Sequence, residues 1–171
     1  MTALRLVRSV HYTSPKLFVH FSKQVECHIY WPQTELHELC KKLNISFTAY
    51  APLGSPARKK WSPNSKWPEG NPLSDPVAKK LADKHHKTAA QILLRYLIQR
   101  GMIVIPKTVH PERAKENMDV FDFTLSDDEM EKLNTLKTRT RLFIWASAFA
   151  HPFYPWADVN KSEFDETTKK N

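Results

Sequence analysis

Ala89-Ala90-Gln91-Ile92-Leu93-Leu94-Arg95-Tyr96-Leu97-Ile98-Gln99-Arg100-Gly101-Met102-Ile103-Val104-Ile105-Pro106-Lys107 decides the fold. Its first half places Ile92, Leu93, Tyr96 and Leu97 on one side of a helix. Thr88 opens that helix and Gly101 stands at its C-cap. Met102–Ile105 then runs apolar without interruption, the pattern of a strand buried on both faces of a parallel sheet. Pro106 ends it. A helix that feeds directly into such a strand is the second half of a crossover unit, so the sheet is expected to be parallel.

The pattern repeats outward. Upstream, Val25, Cys27 and Ile29 alternate with Glu26 and His28, which predicts a strand over Gln24–Ile29. Thr34 is placed as the N-cap of a helix whose stripe is Leu36, Leu39, Cys40 and Leu43, ended by Asn44. Ile45–Ala51 reads as a second strand. Pro52 to Pro72 is a long loop rich in Pro, Ser, Lys and Trp, of a length usually tied to function or motion. Trp61 and Trp67 in it read more readily as a satellite cluster than as a pocket wall. Asp75 caps a further helix with Pro76 at its first position. Downstream come a short helix over Pro111–Asn117, a connector at Phe121–Phe123, and a last helix opened by Ser126 with Glu129 in a capping box. Residues 1–22 read weakly, with strand-like runs at Leu4–Val10 and Leu17–Phe21. Residues 138–171 form a tail rich in aromatics and proline. The order β, α, β, α, α, β, α, α specifies an α/β class.

Composition narrows the function. The chain has 171 residues, 41% hydrophobic and 26% charged, with a formal charge of +8. That is enough apolar material for a core. No apolar run approaches the ~18 residues of a membrane span. Met1–Val10 lacks the apolar stretch and cleavage site of a secretory signal. Two cysteines, Cys27 and Cys40, are too few for a disulfide scaffold and read as reduced, which suggests the cytosol. The basic residues are scattered and belong to no nucleic-acid module, so the charge points to solvation or to a phosphorylated small ligand. Three glycines, far apart, exclude the Gly-rich phosphate loops. Neither Cys27-His28 with Cys40 nor His85-His86 has the spacing of a metal site.

In α/β folds ligands meet the loops that follow the strands. Here these are Tyr50-Ala51-Pro52-Leu53-Gly54-Ser55-Pro56 and Ile105-Pro106-Lys107-Thr108-Val109-His110-Pro111-Glu112-Arg113 with Glu116-Asn117. Together with Gln24-Val25-Glu26-Cys27-His28, Ala90-Gln91-Ile92-Leu93-Leu94-Arg95 and Phe121-Asp122-Phe123, they resemble the C-terminal half of the aldo-keto reductase family, in order and in spacing. The resemblance covers residues 23–137, leaving 1–22 unmatched and 138–171 as a C-terminal loop and tail. It implies a partial TIM (β/α)8 barrel made of the last three parallel strands with their helices. It also implies NADP(H) as cofactor and reduction of small aldehydes and ketones as the family reaction.

The same resemblance assigns roles. Gln24 matches the residue that hydrogen-bonds the nicotinamide carboxamide, and Tyr50 the aromatic that stacks on the ring. Leu53 and Ser55 match the loop over the pyrophosphate. Lys107, Thr108 and Arg113 match the cluster around the adenosine 2′-phosphate, while Glu116 and Asn117 match the adenine contacts. Ala51, Ala57 and His110 depart from the family's usual Ser, Asp and small hydroxyl residue. The family's catalytic Asp, Tyr, Lys and His have no motif here, and Tyr12 and His20 are not placed by one. The expectation is therefore an oxidoreductase chain that keeps a cofactor half-site without catalytic residues. The alternative is a non-catalytic dinucleotide- or partner-binding fragment. Three parallel strands leave two open edges, so marginal stability or pairing with another chain is expected.

Overall fold

The computed structural model describes residues 21–61, 63, 65–156 and 159–164. The readings of Leu4–Val10, Tyr12, His20 and most of Leu17–Phe21 lie outside them.

The core is a three-stranded parallel sheet in sequence order: β1 (Ser22–Glu26), β2 (Ser46–Tyr50) and β3 (Ile103–Val104). Helix α1 (Thr34–Lys42) links β1 to β2. The second crossover holds a short α2 (Arg58–Trp61), then α3 (Pro76–His85) and α4 (Ala89–Gln99). Helices α5 (Pro111–Met118) and α6 (Asp127–Asn134) follow β3, and a short α7 (Lys161–Phe164) lies in the tail.

Register explains the burial. Gln24 pairs with Thr48, Glu26 with Tyr50, Thr48 with Ile103 and Ala49 with Val104. Side chains alternate across a strand, so Val25, Cys27, Phe47, Ala49 and Val104 share the face covered by helices. Cys27, Phe47 and Ala49 belong to the buried apolar cluster, and Val25 and Val104 pack against it. Ser22, Gln24, Glu26, Thr48 and Tyr50 share the other face, as do Ile103 and Ile105. That face is only partly covered: Ile103 is 51% exposed and Ile105 44%. Burial of Met102–Ile105 on both faces is therefore not observed, because helices cover one face only.

Local chemistry sets the helix ends. Asp75 Oδ1 accepts from the N–H groups of Val77 and Ala78, and its other oxygen accepts the Tyr30 hydroxyl at 2.9 Å. Thr88 with Gln91 and Ser126 with Glu129 close capping boxes. Ile92, Leu93, Leu94, Tyr96 and Leu97 are all 0% exposed. The buried face of α4 is wider than a single stripe because α3, α5 and β3 all pack on it.

Several element ends differ from the sequence reading, and β2 and β3 are each one residue shorter at both ends than Ile45–Ala51 and Met102–Ile105. β1 stops at Glu26 rather than Ile29, because β2 ends at Tyr50 and has no partner to offer beyond the Cys27 N–H. Thr34 is the first helical residue, not the cap. Gln33 precedes it in the left-handed region, with its side chain donating to the Glu26 carbonyl instead.

Candidate functional site

The C-terminal ends of β2 and β3 open into a cleft of about 790 Å³. Residues 50–57 wall one side, 105–110 another, and one face of α5 a third. Phe143 and Trp145 from the tail close it. This volume suits a small-molecule ligand.

The loop after β2 is shaped by its backbone. Ala51, Gly54 and Ser55 all have positive φ, at 50°, 72° and 46°. A Cβ on Gly54 would come within 2.4 Å of Pro72 Cδ, so only glycine fits. Arg58 holds the loop from beneath. It is 2% exposed and donates to the carbonyls of Gly54, Ser55, Pro68 and Gly70, at 3.0, 3.4, 2.8 and 2.9 Å. Burial lowers its affinity for protons, with Glu69 and Glu26 opposing that effect. A guanidinium nonetheless stays charged, and charge-assisted bonds to carbonyls make a strong clamp. Arg58 carried no signal in the sequence, because a single arginine in a Pro-rich loop reads as a solvated charge.

Tyr50 stands at the end of β2, half-buried. Its ring meets Phe143 edge-on with 5.8 Å between centroids, and Trp145 lines the same cleft. Burial, reinforced by Glu26, pushes its phenol above the ordinary value. Such a phenol is a poor proton donor at neutral pH, so Tyr50 offers a flat neutral surface rather than a general acid.

After β3, Lys107 and Arg113 are exposed to the cleft mouth, and neither is engaged in an ion pair among the described residues. The Thr108 hydroxyl accepts the His110 N–H at 3.1 Å. His110 precedes α5 but supplies no side-chain cap, the consequence of an imidazole where a small hydroxyl would reach back. Glu116 and Asn117 lie one turn or more further along the same helix, half-buried.

Eight of the nine singled-out residues thus line one cleft: Tyr50, Leu53, Ser55, Lys107, Thr108, Arg113, Glu116 and Asn117. Gln24 is not among the lining residues. It is exposed on β1, two register positions before Tyr50, while the cleft forms at the strand ends. Trp67 packs on Phe143 at 6.0 Å behind the wall, and the Trp61 side chain lies outside the described residues. Sequence reasoning missed Phe143 and Trp145. The alternation of Leu142 and Ile144 with Phe143 and Trp145 was the available signal.

A sequence model of the Aldo/keto reductase family matches residues 7–138. The chain belongs to the aldo/keto reductase family. Aldo-keto reductase family 1 member D1 of Mus musculus is 41% identical over 140 residues, covering 80% of this chain. Prostaglandin F synthase 2 of Bos taurus is 40% identical over 137 residues, covering 79%. In structure, the aldose reductase of Schistosoma japonicum superposes with a TM-score of 0.67 at 38% identity, covering 80% of this chain and 40% of that one. The chain spans about 41% of the length of these two sequence relatives. The sheet and its helices are accordingly part of an aldo/keto reductase barrel. The family match begins at residue 7, ahead of the first motif at Gln24. Among the described residues, no helix is long and apolar enough to cross a membrane.

Proposed function

We propose that the cleft binds NADP(H), and that the protein serves NADPH-dependent reduction of an aldehyde or ketone. Tyr50 would take the nicotinamide ring, Leu53 and Ser55 the pyrophosphate, Lys107, Thr108 and Arg113 the 2′-phosphate, and Glu116 with Asn117 the adenine. Gln24 would reach the carboxamide from β1. The observation that carries this reading is the meeting of Tyr50 and Lys107 in one cleft, with two cations at its mouth that pair with no acid among the described residues.

The residues suit the ligand chemically. A dianionic phosphate needs fixed cations that no carboxylate already neutralises. The loop's positive φ values at Ala51, Gly54 and Ser55 allow backbone N–H groups to turn toward an anion. The bound dinucleotide supplies hydride. This chain's residues bind it, orient it and exclude water from one face. The family's catalytic Asp, Tyr, Lys and His are matched by no motif of this sequence, and on that ground the 171-residue chain is expected to bind without turning over.

Calorimetric titration tests the binding. NADPH is expected to bind one-to-one, and NADH at least about tenfold more weakly, because the 2′-phosphate contacts are charge-assisted. Equal affinities, or none for NADPH, contradict the assignment. Oxidation of NADPH with a generic aldehyde by the purified chain contradicts the silent-chain reading.

A further inference from the structure

Glu26 ends β1, and His28 follows two residues later. Both are buried, at 1% and 0% exposed. Glu26 Oε1 lies 3.0 Å from His28 Nε2 and accepts the N–H of Leu142, 116 residues later, at 2.6 Å. Glu26 Oε2 and His28 Nδ1 have no hydrogen-bond partner among the described residues. A buried carboxylate is costly unless strong hydrogen bonds answer it, so its presence asks for a task.

The long-range bond indicates the task. Leu142 is 0% exposed and wedged between two glycines. A Cβ on Gly54 would lie 3.0 Å from its Cδ1, and one on Gly70 3.1 Å from its Cδ2. Just before it, the Thr140 N–H donates to the Tyr30 carbonyl at 3.0 Å. Leu142 and Ile144 are buried, while the alternate residues Phe143 and Trp145 line the cleft. Trp145 has φ 49°, in the left-handed region that side chains disfavour, so its placement must be imposed by neighbouring contacts.

We propose that Glu26 is a positioning residue: through the Leu142 amide it latches the tail so that Phe143 and Trp145 stand against Tyr50 as the cleft's aromatic wall. The latch is a matter of geometry; its consequence for cofactor binding rests on the reading of the cleft given above. Glu26 touches no ligand itself. It acts by fixing one amide, and two side chains follow from the period-two alternation around it.

The bonded amide is also the one trypsin cuts after Arg141, which makes the latch measurable. In the wild-type chain the Leu142 amide is expected to exchange at least about a hundredfold slower than its intrinsic rate. Glu26→Leu removes the acceptor. It should speed both that exchange and cleavage after Arg141 by about tenfold or more, with far-UV circular dichroism unchanged and the near-UV signal of the aromatic wall reduced. Glu26→Gln keeps an acceptor oxygen and should stay within about threefold of wild type. Unprotected Leu142 in the wild-type chain overturns the proposal, as does a folded Glu26→Leu with unchanged cleavage. If Glu26→Leu does not fold, the wild-type exchange rate decides alone. NADPH affinity should fall about tenfold in Glu26→Leu. If wild type binds no NADPH while Leu142 is protected, the cofactor reading fails and the latch stands.

Discussion

Gly54 and Gly101 offer a controlled measurement of what the cleft loop demands. Both have positive φ, at 72° and 80°, so an alanine at either incurs the left-handed penalty of about 1–2 kcal/mol. They differ in space. A Cβ on Gly101 meets nothing within 4 Å, whereas one on Gly54 would lie 2.4 and 2.6 Å from Pro72 Cδ and Cγ and 3.0 Å from Leu142 Cδ1. Pro72 opens a turn leading into Asp75 and α3, and Leu142 is latched by Glu26, so neither can retreat freely. Overpacking of this kind adds about 1–3 kcal/mol. Gly101→Ala is therefore expected to lower stability by about 1–2 kcal/mol, and Gly54→Ala by about 2–5 kcal/mol. Urea unfolding followed by circular dichroism gives both values, with the slope checked for constancy. Gly54→Ala should also weaken NADPH binding, because the strained loop is the one beside Tyr50. Equal losses for the two variants would refute the steric argument and leave only the backbone term.

Three other outcomes are expected. Lys107→Ala and Arg113→Ala should each reduce NADPH affinity about tenfold while leaving NADH within about twofold, since each contributes a charge-assisted bond to the 2′-phosphate; parallel losses for both nucleotides in calorimetry would discredit that role. Burial works to raise the Glu129 carboxyl, but hydrogen bonds from Lys84, the Ser126 N–H and His85 prevail and hold it at about 2. A carboxyl held below its ordinary value stabilises the fold above that value, and the contribution fades as the pH falls through its folded value. Urea midpoints should thus drop between about pH 5 and about pH 2, and Glu129→Gln should flatten that drop; an unchanged acid limb in the variant counts against it. The open sheet edge at β3, with Ile103 51% exposed, should drive concentration-dependent association that Ile103→Lys suppresses. A wild-type chain that sediments as a monomer at every concentration, with a sharp thermal transition, speaks against that.

Much of the fold was legible because local rules and tertiary demands agreed. Asp75-Pro76, Thr88 with Gln91 and Ser126 with Glu129 begin helices in the structure as side-chain hydrogen bonding requires. The loops at Tyr50 and Lys107 sit at the ends of parallel strands, so their spacing in the chain was enough to bring them to one cleft. Where the reading failed, a distant segment had intervened. Thr34 lost its capping role when Gln33 turned to the Glu26 carbonyl. Glu26 is buried at the end of β1, where it accepts the N–H of Leu142 from the tail.

Periodicity, caps and motif spacing act over a few residues, and from them follow the helices, the parallel strand order and the family. Arg58's grip on four carbonyls, the Glu26–Leu142 bond, the aromatic wall at Phe143 and Trp145 and the uncovered side of Ile103 come from segments folded together across tens of residues. A hydrogen-bond partner or a covering face supplied from so far along the chain leaves no local pattern to read, because burial is a property of the assembled layers and not of any one segment.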